Sequence, residues 1–129
     1  MRRGVALVTV IASSACFATL AVLTRLAYAE GGRPLPHSVS EKVRLDINGF
    51  EQGMFLRARD DTRPVLLYLH GGMPEYFLAR RHPTGLETEF VVCWWEQRGA
   101  GLSYRPGMSP GSVTVGQLVA DTLALTNEL

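Results

Sequence analysis

Two apolar, β-rich runs in this chain each stop at glycine. Val65-Leu-Leu-Tyr-Leu69 runs into His70-Gly71-Gly72, and Phe90-Val-Val-Cys-Trp-Trp95 runs through Glu96 into Gln97-Arg98-Gly99-Ala100-Gly101. A run with no polar face fits a strand covered on both sides, as in a parallel sheet. Glycine at its end turns the chain tightly and lets a backbone N–H come close to a ligand. Two such strands with glycine loops at the same end build the rim of an α/β sheet, where ligands bind.

The flanking segments agree with a sheet of this kind. Val43, Leu45 and Ile47 alternate with Lys42, Arg44 and Asp46, which predicts a half-buried strand. Asn48-Gly49 follows, the strongest short signal for a type I′ hairpin turn. Phe50 to Arg57 supplies the returning strand, and Asp60-Asp61-Thr62-Arg63-Pro64 ends it. A short helix is predicted near Pro74–Arg81, between the two apolar strands. The last element is a helix opening at Thr114, with Gln117 placed for a capping box. Val115, Leu118, Val119, Thr122, Leu125 and Leu129 follow at helical spacing.

The order of these motifs resembles the α/β-hydrolase superfamily, in particular its proline-iminopeptidase-like branch. In that family a strand runs into H-G-G-P-G and the next into D-Q-R-G-x-G-x-S. The resemblance covers roughly Ser40 to Leu129 and implies the N-terminal part of an α/β-hydrolase sheet, an antiparallel hairpin followed by parallel strands. It implies an oxyanion-hole loop at Gly71 and Gly72, with the Gly72 N–H as donor. It implies structural support of that loop by His70, Gln97, Arg98 and Gly99. There are two departures. Glu96 stands where aspartate is common, and the chain passes from Gly72 straight to Met73-Pro74-Glu75-Tyr76-Phe77, shorter than the family's loop by Pro-Gly.

The family's nucleophile is a serine at a G-x-S-x-G elbow, followed in sequence by an acid and a histidine. Gly107-Met108-Ser109-Pro110-Gly111 has that form, but the residue after the serine must donate its backbone N–H to the oxyanion, and Pro110 has none. No strand precedes it either; Tyr104-Arg105-Pro106-Gly107 is loop chemistry. The expectation is therefore a chain with no catalytic residue of its own: the N-terminal fragment of an exported serine hydrolase, cleaving ester, amide or peptide bonds, with aminopeptidase-like chemistry among the options. A scaffold kept as a non-catalytic binding module, or the product of a decayed hydrolase gene, are the rival readings.

Arg2-Arg3 precedes an uncharged stretch over residues 4–24, about long enough to cross a hydrocarbon core of roughly 30 Å as a helix. Basic residues before it predict a cytoplasmic N-terminus. Ala27-Tyr28-Ala29 offers a small-x-small peptidase site. Residues 1–29 are thus read as a transmembrane anchor or a signal peptide, 30–39 as a linker, and 40–129 as a partial hydrolase domain. The product would be a single-pass membrane protein or a secreted one.

Composition excludes several other classes. With 47% hydrophobic residues, 19% charged and a net charge of +1 over 129 residues, the chain is globular in character and carries no basic signal for nucleic acid. His37 and His82 have no partner at metal-ligand spacing, so no metal or other cofactor is expected. Cys93 lies within an apolar strand and reads as a small buried hydrophobe, and with Cys16 it forms no disulfide framework. Trp94 and Trp95 must face opposite sides of their strand.

Overall fold

The computed structural model describes residues 29–30, 33–73, 75–76 and 81–129. The expected N-terminal helix over 4–24 lies outside these residues, as does most of the one expected near Pro74–Arg81. Among the described residues no helix is long and apolar enough to cross a membrane.

The described residues form six strands and two helices. A short ladder pairs β1 (Ala29–Glu30) with β2 (Arg33–Pro34). The main sheet holds β3 (Val39–Ile47), β4 (Phe50–Ala58), β5 (Val65–Leu69) and β6 (Val91–Glu96), in the order β3-β4-β6-β5. Helix α1 is a single turn, Leu86–Glu89, leading into β6; helix α2 spans Val115–Glu128. This is a mixed four-stranded sheet with few helices, α/β in kind.

The hairpin turns at Asn48-Gly49, where both residues have positive φ (53° and 73°), as a type I′ turn demands. Strands β5 and β6 are parallel neighbours in register, Val65 opposite Val91 and Leu69 opposite Trp95. Strand β6 also pairs antiparallel with β4, so it is central and all six of its residues are buried. The apolar run of β5 is a different case. The sequence predicts a strand covered on both sides, yet Val65 to Tyr68 are half-buried and Leu69 is exposed. The reason is position: β5 is the sheet's last strand among the described residues and has a single neighbour.

Alternation along β6 splits the core in two. Val91, Cys93 and Trp95 pack with Ile47, Met54, Leu56 and Ala58 on the face covered by Leu125 of α2. Val92 and Trp94 pack on the opposite face with Phe55, Leu66, Tyr68 and Tyr76. There Phe55 and Tyr76 stack at 3.8 Å, and Tyr68 tilts against Trp94 at 4.5 Å. Burial pushes the Cys93 thiol up to about 12, which leaves it an inert packing group beside Met54.

Helix α2 opens as the sequence predicts: the Thr114 hydroxyl accepts the Gln117 N–H at 3.1 Å. The other half of the capping box is not made, because the Gln117 side chain reaches Asp121 instead. Nor does the apolar spacing identify the inward face. Val115, Val119 and Leu123 are 79%, 53% and 61% exposed, while Asp121 and Leu125 are fully buried. Apolar residues line this helix on more than one side, so hydrophobicity alone does not orient it.

Close approach requires one glycine in the middle of a strand. A Cβ on Gly53 of β4 would overlap Leu102, whose 3₁₀ turn (Gly101–Ser103) lies directly against the strand. Gly53→Ala is expected to destabilise the fold by about 1–3 kcal/mol, the usual cost of forcing a methyl group into a packed site. Urea unfolding followed by circular dichroism measures this; an unchanged midpoint would show that the turn yields freely.

Candidate functional site

Parallel pairing of β5 and β6 brings their C-terminal loops together at one end of the sheet. His70 follows β5 directly and is buried. Gln97 follows β6 directly. The two form a reciprocal clasp: the Gln97 side-chain amide donates to the His70 carbonyl at 2.9 Å, and the Gln97 backbone N–H points at His70 Nε2 at 3.0 Å. On the other side of the ring the Gly72 N–H points at His70 Nδ1 at 3.1 Å. Gly71 and Gly72 are themselves exposed, Gly72 with a φ of 107°. Burial pushes the His70 imidazole below its ordinary range, against the opposing pull of the Glu96 and Glu75 carboxylates.

The second loop folds back on its own strand. Leu102 N–H donates to the Glu96 carboxylate, and the Ser103 hydroxyl donates to the Glu96 carbonyl. Ser103 Oγ also accepts the Gly53 N–H at 2.8 Å, so the turn is tied to β4 as well. Any side chain at Gly101 would overlap the Glu96 carboxylate. Gly99, with a φ of 84°, closes the loop through its N–H to the Ser103 carbonyl at 3.3 Å.

Arg98 turns away from the glycine loop of β5 and into the protein. Its Nε and a terminal nitrogen form a forked pair with Asp121 of α2, at 2.8 and 3.1 Å. Arg98 is 8% exposed and Asp121 0%. Three further donors reach the same carboxylate: Asn48 Nδ2 at 2.9 Å, Gln52 Nε2 at 2.7 Å and Gln117 Nε2 at 2.8 Å. Gln52 in turn accepts the Trp95 indole N–H at 3.1 Å. The guanidinium also lies over the Phe50 ring, 4.4 Å from its centre. Burial by itself would push the Asp121 pKa up; the bonds from Arg98, Asn48, Gln117 and Gln52 outweigh it, and the carboxyl titrates below the ordinary aspartate range.

The chain is similar to a probable aminopeptidase. Over 98 residues it is 35% identical to the protein named "Probable aminopeptidase YbaC" of Bacillus subtilis (strain 168). The aligned segment is 74% of this chain and 31% of that protein, so the chain spans about a third of the relative's length. No family model matches the chain, and no solved structure does.

Of the residues singled out in the sequence, the structure brings His70, Gly72 and Gln97 into direct contact and places Gly71, Arg98 and Gly99 in the same two loops. Ser109 is exposed just before a 3₁₀ turn that begins at Pro110, and among the described residues its hydrogen bonds run through its carbonyl, to Ser112. Among the described residues no group of three or more His, Cys, Asp or Glu side chains is placed to hold a metal ion. Nor do Tyr68, His70, Glu75, Tyr76, Trp94, Trp95 and Glu96, which surround the crevice beside His70, leave a water-sized void between them. Sequence reasoning missed Asp121, Gln52, Glu96 and Ser103 as supports. A usable signal existed for Asp121, a lone charge between Leu118 and Leu125 on one face of a helix.

Asp121→Asn removes the charge that Arg98 and its neighbours surround. Losing one partner of a buried pair costs about 3–5 kcal/mol. Because the native carboxyl titrates below its unfolded value, its contribution is complete above about pH 4 and is lost as the pH falls through the lowered value. The variant should therefore be less stable at neutral pH and show a shallower loss of stability on acidification. Denaturant melts at a series of pH values test this; parallel curves for the two proteins would contradict it.

Proposed function

We propose that this chain carries the oxyanion side of a hydrolase active site of α/β-hydrolase type, in a protein that cleaves amide or ester bonds with aminopeptidase-like chemistry of the proline-iminopeptidase kind. The observation that carries this reading is the meeting of two glycine loops at one end of a parallel strand pair, clasped through His70 and Gln97. Similarity to a protein named as a probable aminopeptidase supports it.

Acyl transfer places negative charge on the carbonyl oxygen, and preorganised N–H donors stabilise that charge by several kcal/mol. In this reading the loop Gly71–Gly72 supplies one such donor. His70, Gln97, Arg98 and Gly99 hold the loops in place and touch no reacting atom. A hydroxyl attacks a carbonyl efficiently only when a base takes its proton, and the exposed Ser109 has no such partner among the described residues. The nucleophile, acid and base of the proposed reaction are thus assigned to no residue of this sequence. Export, with residues 1–29 as anchor or cleaved signal, completes the proposal and rests on Arg2, Arg3 and the uncharged run behind them.

A chimera tests the reading. Residues 40–129 would replace the corresponding segment of the Bacillus subtilis relative, and the product would be assayed on aminoacyl anilides beside the unaltered relative and the isolated chain. The expected result is an active chimera and an inert isolated chain. A folded but inactive chimera, or serine labelling of the isolated chain by a fluorophosphonate, would contradict it.

A further inference from the structure

The His70 ring is approached by one backbone N–H more than it can accept. Gly72 N–H points at Nδ1 and Gln97 N–H at Nε2, at 3.1 and 3.0 Å. A neutral imidazole has one nitrogen that accepts and one that carries a proton; an imidazolium has none that accepts. Turning the ring over would present carbon to both donors. One of the two contacts must therefore give way, and which one does is set by the tautomer.

The surroundings of the two donors are unequal. Gln97 continues the buried strand β6, its side chain is anchored on the His70 carbonyl, and the next residue is Arg98, locked to Asp121. Moving its N–H would disturb all of these. Gly72 sits in an exposed loop between Gly71 and Met73, both exposed, and no atom of the described residues lies within 4 Å of where its side chain would be. Its N–H can turn out to water at little cost, whereas an unpaired N–H in a half-buried clasp loses its bond without replacement.

We infer that His70 is a tautomeric gate on the Gly72 amide: the Nδ1–H form gives its lone pair to Gln97 and turns the Gly72 N–H outward, and the Nε2–H form ties that N–H down. The Nδ1–H form is the populated one. The inference rests on the reading of Gly72 as an oxyanion donor for its functional meaning, and it makes His70 a positioning residue that selects whether the donor is free. The step moves one proton between the two ring nitrogens through solvent and changes no other bond.

Nuclear magnetic resonance of the full chain with ¹⁵N-labelled histidine tests the gate without any assay of hydrolysis. Long-range ¹H–¹⁵N correlations above the titration of the ring identify which nitrogen is protonated, with the His70 signals assigned by their disappearance in His70→Gln. The expected spectrum has Nδ1 protonated and Nε2 bare. A bare Nδ1, or rapid averaging of the two nitrogens as in a free imidazole, would overturn the inference. Two variants give a second readout. Glutamine can place an acceptor oxygen near the Nε2 position and asparagine near Nδ1, so His70→Gln should melt at a higher temperature than His70→Asn. The reverse order would also overturn it. Because neither measurement involves turnover, an inactive chimera would sink the proposed function and leave the gate standing.

Discussion

One buried carboxylate organises this structure. Asp121 lies on α2 with no exposure to solvent, and five hydrogen bonds converge on it from three separate parts of the chain: the hairpin (Asn48, Gln52), the loop after β6 (Arg98) and its own helix (Gln117). An isolated charge in that position would be prohibitively costly, and the arrangement is tolerable because every donor is in place. The same requirement makes it specific. The helix must present Asp121 inward even though this leaves Val115, Val119 and Leu123 on the outside.

The consequence for the candidate site is positional. Arg98 follows Gln97, and Gln97 clasps His70, so the ion pair under the sheet end is two residues from the ring that faces Gly72. Glu96, Ser103 and Gly53 tie the same loop to the sheet from the other side. Among the described residues, the glycine loop after β5 has no such ties on its exposed side. What results is one rigid loop and one adaptable loop, joined through a histidine that can satisfy only one of two donors. That asymmetry suits a donor that must be presented to a ligand.

Elements governed by local chemistry were legible in the sequence. The Asn48-Gly49 turn, the alternation of β3, the buried run of β6 and the Thr114 cap each follow from residues within a few positions of one another. Elements governed by distant partners were not. Asp121 acquires its role from Asn48 and Gln52, far away in the chain, and no periodicity in α2 announces them. Ser103 is a small polar residue in a loop until Gly53 is seen beneath it. The half-exposed β5 likewise depends on which strands lie alongside, a property of topology and not of the run itself. For the site, the glycines and His70 could be marked as loop residues, but the competition of two N–H groups for one ring appears only in three dimensions.

Hydrogen exchange of the backbone amides in Arg98→Met tests most directly whether the Asp121 pair holds the site-bearing loop. If it does, protection at Gln97 to Ser103 falls sharply while Val92 to Trp95, bonded on both sides within the sheet, stay protected. Unchanged protection in the loop would contradict that role.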